Sequence, residues 1–150
     1  MLHRVARDGG ERPGDVHSGK WNGLGGKLEP GESPEQAGAR EVLEEAGMAL
    51  KPDVFKTRGV LQFPYFKPGQ DWLVWVLVAT TESSELSASW GPEGRLEWVA
   101  VDEVLDLPLW EGDRQFLPPI LRGETVFGTF WYRDGRLDRF RLQNSQLPNF

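Results

Sequence analysis

The chain has no cysteine. Disulfide frameworks, thiolate zinc sites and cysteine nucleophiles are therefore excluded. Its two histidines are too few for a multi-histidine metal centre or a histidine proton relay. No apolar run approaches the roughly 20 residues of a membrane span. Arg4, Arg7 and Asp8 come too early for a signal peptide. Basic residues are in deficit, 17 against 23 acidic for a formal charge of −6, which argues against a nucleic acid polymer as partner. What remains is a chain of 150 residues, 39% hydrophobic and 11% aromatic, enough for one domain over 1–150 with a true core. The expectation is a soluble, cytoplasmic protein with no membrane partner.

Charge and glycine are unevenly placed. Between Glu29 and Glu45 six glutamates stand against Arg40, a local balance of −5 out of the total −6. Eight of the 18 glycines fall in the first 31 residues. A glycine-rich loop followed by an acidic helix is the feature to explain.

Leu2 to Val5 reads as the end of a strand, and residues 7–20 as a polar loop. Trp21 to Gly26 (WNGLGG) suits a backbone that turns or approaches something closely. The helix signal runs from Ser33 to Gly47, with Ser33 as N-cap, Pro34 at the first helical position, Glu35 in the first turn and Gly47 as the stop. Ala39, Val42, Leu43 and Ala46 form an apolar stripe expected to face the core. Val54 to Phe63 and Trp72 to Thr80 read as strands. The second is almost continuously apolar, which predicts a central strand buried on both faces. Glu82 to Gly94 reads as a loop, Leu96 to Val101 as a strand, and Asp102 as the cap of a short helix ending near Leu107. Asp113 is placed as the cap of a helix running to about Arg122. Val126 to Tyr132 and Arg136 to Leu142 flank Asp134-Gly135, a hairpin signal. Trp72, Trp75, Trp98 and Trp131 are assigned to the core, and the arginines of the hairpin to a solvated face. The pattern implies an α/β or α+β sandwich.

On a helix, Glu41, Glu44 and Glu45 fall within an arc of about 100°, opposite the apolar stripe. Like charges at that spacing repel. Either solvent screens them on an open face, or a hard divalent cation sharing oxygen ligands with phosphates holds them. Spacing alone leaves both readings open.

The longer pattern is more specific. Gly26, five residues, Glu32, seven residues, then REVLEEAGM from Arg40 to Met48 resembles the Nudix box, G-x5-E-x7-R-E-U-x-E-E-x-G-U with U apolar. Every fixed position matches. The resemblance implies the α/β Nudix fold, an α/β/α sandwich with a mixed central sheet. It implies a hydrolase of nucleoside diphosphate derivatives that uses Mg²⁺ or Mn²⁺ and an activated water. By the same resemblance Glu41, Glu44 and Glu45 are metal ligands, Glu45 foremost, joined by the carbonyl of Gly25. Arg40 pairs with Glu32 and fixes the loop against the helix, and Lys27 faces the phosphates. A carboxylate outside the helix completes the site, with Glu93 ahead of Glu97 and Glu82.

KWNGLGGK from Lys20 to Lys27, PGDVH from Pro13, FPYFKPGQDW from Phe63 and LWEGDRQFL from Leu109 resemble the MutT/MutX-like 8-oxo-dGTP diphosphatases. That group implies nucleotide-pool sanitation and DNA repair. Asn22 then reads the base with its amide, Asp113 with its carboxylate, and Trp110 packs on the ring. The mammalian enzymes carry two adjacent aspartates where Gly112-Asp113 stands here. Tyr65 lies roughly where dinucleoside-polyphosphate hydrolases of the family carry a tyrosine. Hydrolysis of a dinucleoside polyphosphate, ADP-ribose or sugar nucleotide is the alternative activity, and an inactive nucleotide-sensing domain the alternative class. Relatives usually begin with one more strand, which lines part of the base pocket. Its lack implies either a start further upstream or an exposed strand edge open to homodimer formation.

Overall fold

The computed structural model describes residues 1–82, 89–91 and 93–145. The described elements are β1 (Leu2–His3), β2 (Trp21–Asn22), α1 (Pro34–Ala46), β3 (Lys56–Lys67), β4 (Gln70–Val78), β5 (Trp90–Gly91), β6 (Gly94–Leu96), α2 (Asp113–Leu121), β7 (Thr125–Arg133) and β8 (Arg136–Ser145). They divide between two units, Met1–Lys56 with Ala79–Trp110, and Thr57–Val78 with Glu111–Phe150. Among the described residues no helix is long and apolar enough to cross a membrane.

In the first unit α1 starts and stops where local chemistry dictates. The Ser33 hydroxyl accepts from the Gln36 amide at 3.3 Å, and the Gln36 side chain accepts from the Ser33 amide at 2.8 Å. This reciprocal box satisfies two donors that a helix start leaves open. At the other end Gly47 adopts φ +66° and its amide donates to the Leu43 carbonyl, a turn that costs other residues strain. The sheet here is antiparallel in the order β2-β1-β6-β5. Leu2–His3 is paired on both flanks, with Leu2 opposite Asn22 and Leu96. Leu2, Ala46 and Leu96 form the core, with Leu24 and Met48 packed against it.

That core reaches α1 only at its last turn. Of the expected stripe Ala46 is buried, Ala39 and Val42 are half-buried and Leu43 is 51% exposed, so the stripe is covered in part, with Leu43 left open. The 82–94 segment, expected as a loop, contains a hairpin. Gly91 pairs with Gly94 and Trp90 with Arg95, while residues 83–88 and 92 lie outside the described residues. The strand expected over 96–101 ends at Leu96. The short helix after it is a 3-10 turn, Val104–Asp106, preceded by Glu103 rather than capped by Asp102.

The second unit holds a mixed sheet in the order β4-β3-β7-β8. β3 runs parallel to β7, and β7 is antiparallel to β8. Asp134 and Gly135 both have positive φ, as the tight two-residue hairpin requires. Leu61, Ile120, Val126 and Phe130 make the core, with Phe63, Val74 and Phe116 against it. Gly59 is a point of close approach: a Cβ there would lie 2.0 Å from the Val126 carbonyl oxygen.

The apolar β4, expected at the centre of a sheet, is an edge strand. Among the described residues its single sheet neighbour is β3, because the parallel pairing with β7 occupies the other side of β3. One face of β4 is open, with Leu73 65% exposed. Trp75 and Trp98, assigned to the core, are also exposed. Trp131 is half-buried under Arg139, whose guanidinium lies 4.7 Å from the ring centroid. α2 begins at Asp113 with Gly112 as its cap, so Asp113 is the first helical residue and not the cap.

Candidate active site

Arg40 is the hub of the acidic segment. Its Nε donates to Glu32 Oε1 at 2.8 Å and its Nη2 to Glu32 Oε2 at 3.0 Å, the two-pronged geometry of a guanidinium on a carboxylate. Nη2 also reaches the Lys27 carbonyl at 3.0 Å. Nη1 donates to Glu41 Oε1 at 2.8 Å and to Glu44 Oε2 at 3.4 Å. One side chain thus fastens the 27–32 segment to the second turn of α1. The Arg40 contact, helped by the Glu29 amide, pulls the Glu32 carboxyl down to about 2. The Lys27 side chain itself is exposed.

The three helix carboxylates do not share one open face. Glu44 is 58% exposed and Glu41 15% at the side chain, and Glu45 is buried at 8%. The Gly25 amide donates to Glu45 Oε2 at 3.0 Å, which ties the glycine loop to the buried carboxylate. Burial pushes the Glu45 carboxyl up to about 7, against the pull of the Gly25 amide, and the charges of Glu93 and Glu41 push the same way. The Glu93 carboxyl is within hydrogen-bonding reach of Glu45. The β5 to β6 turn brings it there: Gly91 runs against the backbone at Glu45, where a Cβ would lie 3.1 Å from the Glu45 carbonyl oxygen. Glu82 is exposed and Glu97 pairs with Arg95, so of the three carboxylates considered it is Glu93 that meets the helix. Gly26 explains itself in the same way, because a Cβ there would fall 2.1 Å from Glu41 Oε1.

This donor set is all oxygen, which suits a hard cation and not a thiophilic one. Among the described residues no three acidic or histidine side chains already converge as a closed cage. Mg²⁺ does not require one, since it is commonly held by one or two carboxylates together with water and substrate phosphates. The buried Glu45, crowded by two like charges, is the feature that a cation would relieve. Of the ligands expected from the sequence, Glu41, Glu45 and Glu93 lie around this buried carboxylate and Glu44 is exposed beside Arg40.

The base-reading residues sit in different places. Asn22 is on β2, and its Nδ2 is buried without a hydrogen-bond partner, a costly state for an amide donor. The adjacent Trp21 amide donates to the Pro108 carbonyl at 3.0 Å, tying β2 to the segment that carries Trp110. The Trp110 indole is itself held. Its Nε1 donates to His17 Nδ1 at 3.0 Å, and the Lys20 ammonium lies 5.6 Å from its ring centroid. Asp113, in the second unit, is half-buried at the start of α2. Glu111 accepts from the Leu137 amide at 2.6 Å. A Cβ on Gly112 would meet the Tyr132 hydroxyl at 2.6 Å, so a side chain at position 112 would have to displace Tyr132.

Sequence reasoning missed Arg4, Asp15 and the anchoring role of His17. Arg4 Nε and Nη2 reach Asp15 Oδ2 at 3.0 and 2.9 Å, and Arg4 Nη1 donates to Glu93. No local pattern signals a contact between residues 89 positions apart.

A NUDIX domain model matches residues 5–119, and the chain belongs to the Nudix hydrolase family. Similar proteins narrow the kinship. The oxidized purine nucleoside triphosphate hydrolase of Danio rerio is 31% identical over 116 residues, which covers 77% of this chain and 72% of that protein. The Mus musculus protein of the same name is 29% identical over 117 residues, covering 78% and 72%. The crystal structure of the mutator MutT protein from Bacillus halodurans superposes with a TM-score of 0.76 at 32% identity, covering 94% of this chain and 87% of that one.

Proposed function

We propose that this Nudix hydrolase is a Mg²⁺-dependent (or Mn²⁺-dependent) nucleoside triphosphate pyrophosphohydrolase. Its substrates are 8-oxo-dGTP or related (d)NTPs, its products the monophosphate and pyrophosphate, and its purpose the cleansing of the nucleotide pool. The observation that carries the reading is the buried, unpartnered Asn22 amide, tied through Trp21 to the Trp110 segment in the same unit as the Glu45–Glu93 carboxylates. A buried donor without a partner is a recognition group awaiting an acceptor, and a nucleobase edge supplies one. The names of the vertebrate relatives support an oxidised purine as that base.

A divalent cation held by Glu45, Glu41 and Glu93 would neutralise phosphate charge and acidify a bound water. The chain's own groups do the rest. The Gly25 amide orients Glu45. Arg40 holds the glycine loop and Glu41 in place. Glu93, at the turn tip, would complete the carboxylate set that holds the cation as water attacks phosphorus and the anhydride bond breaks. Trp110 offers an indole face to the base and Asn22 its amide.

The test is a substrate panel with Mg²⁺, comparing kcat/KM for 8-oxo-dGTP, dGTP, diadenosine tetraphosphate and ADP-ribose. Preference for the oxidised triphosphate is expected, and equal rates on all four overturn the reading. Glu45→Gln is expected to lower kcat by at least about 100-fold with the circular dichroism spectrum unchanged. Retained turnover would remove Glu45 from the site.

A further inference from the structure

The group missed by sequence reasoning has a use. We infer that Arg4 is a positioning residue for Glu93, holding that carboxylate toward Glu45 from behind while Asp15 offsets the guanidinium charge. The inference rests on the reading of Glu93 as part of the cation site.

Glu93 lies on a turn pressed against the chain next to Arg4. A Cβ on Gly94 would fall 2.1 Å from the His3 carbonyl oxygen and 3.3 Å from the Arg4 Cα. The backbone therefore delivers Glu93 to Arg4, but a glutamate at a turn tip keeps several rotamers unless something fixes it. Arg4 is well placed to do so. Its Nη1 donates to Glu93 Oε2, while Nε and Nη2 engage Asp15 Oδ2 at 3.0 and 2.9 Å. Asp15 is in turn held by the His17 amide at 2.9 Å and by Arg12 at 3.4 Å. The guanidinium thus reaches Glu93 from an anchored base, with a fork that bridges both carboxylates.

The charges also balance. A lone guanidinium behind a metal-binding carboxylate would repel the cation. Asp15 offsets that charge although it also carries Arg12 at 3.4 Å, so the group Arg12–Asp15–Arg4–Glu93 is neutral rather than cationic and the pull on a cation comes from Glu93 together with Glu45 and Glu41. Hydrogen-bond partners behind metal ligands commonly matter by about 10- to 100-fold in affinity or activity.

The experiment is Mn²⁺ titration of the nucleotide-free protein by electron paramagnetic resonance, paired with steady-state kinetics. Arg4→Met is expected to weaken Mn²⁺ binding by about 10-fold or more and to lower kcat, with KM for the nucleotide changed less than about 2-fold. Arg4→Lys should fall between, because one ammonium cannot bridge both acids. Asp15→Asn, which leaves the guanidinium uncompensated, should also weaken Mn²⁺ binding, and these two variants carry the test if Arg4→Met does not fold. Glu93→Gln separates the two claims. If it weakens Mn²⁺ binding while the Arg4 and Asp15 variants do not, Arg4 is only a loop staple and the inference fails alone. If Glu93→Gln changes nothing, the reading of Glu93 fails, and the inference with it.

Discussion

At the scale of single residues, the acidic segment is a division of labour among carboxylates that look alike in sequence. Arg40 takes Glu32 fully, shares Glu41 and touches Glu44. Glu45 is buried with the Gly25 amide donating to it and other acids close by. The pairing of Glu32 has a pH signature. Its carboxyl sits near 2, against an ordinary value of 4.5. A depressed carboxyl adds stability that is complete above its unfolded value and is lost as pH falls through its folded one. The stability gap between wild type and Glu32→Gln should therefore close between about pH 4.5 and pH 2, as followed by urea unfolding midpoints; a gap that stays constant over that range would show that the ion pair contributes nothing. Gly26→Ala addresses the neighbouring contact. The new methyl must push the Glu41 carboxylate aside, and because that carboxylate ends a flexible side chain, the fold should tolerate it. Turnover should fall by about 10-fold or more while the melting temperature stays within a few degrees. Normal turnover would show that the position of Glu41 is immaterial.

Among the elements, what the sequence reveals depends on how local the cause is. The helix bounds are legible because Ser33, Pro34 and Gly47 act within a few positions of themselves, although sequence reasoning missed the Gln36 half of the capping box. The β7–β8 hairpin is legible because Asp134 and Gly135 make the turn. The box is legible because its glutamates, arginine and glycine keep a fixed spacing along one helix and the loop before it. Sheet order is not local. The apolar run of β4 reports a wish for burial but not which strands flank it, so a central place was expected where an edge is found. Burial of Glu45 likewise depends on β5 crossing behind it, which nothing near Glu45 announces. The parallel β3–β7 pairing that decides the sheet order can be probed at Gly59. Alanine there meets the Val126 carbonyl oxygen at 2.0 Å, a backbone atom that cannot swing away. Gly59→Ala should destabilise by about 2 kcal/mol or more in chemical denaturation; a change under about 0.5 kcal/mol would mean that the two strands have room to separate.

For the molecule as a whole, a formal charge of −6 with −5 of it in one segment means that the site repels a bare triphosphate. Nucleotide alone should bind weakly, and its approach should be sensitive to ionic strength. The remaining chain is close to neutral, so little long-range repulsion keeps two molecules apart on their other sides. There the open flank of β4 becomes a matter of colloid behaviour. From Trp72 to Thr81 the sequence carries no charged residue and no proline, the devices with which exposed strands ordinarily discourage neighbours. Loss of dispersed protein should accordingly rise faster than linearly with concentration, and added salt should not prevent it. A single lysine at Leu73, on the exposed side of that strand, should lower light scattering in concentrated solution while leaving hydrolysis rates unchanged; scattering that persists would place the adhesive surface elsewhere. The strand that reads most like the heart of a sheet is thus expected to set the concentration at which this enzyme can be kept dispersed.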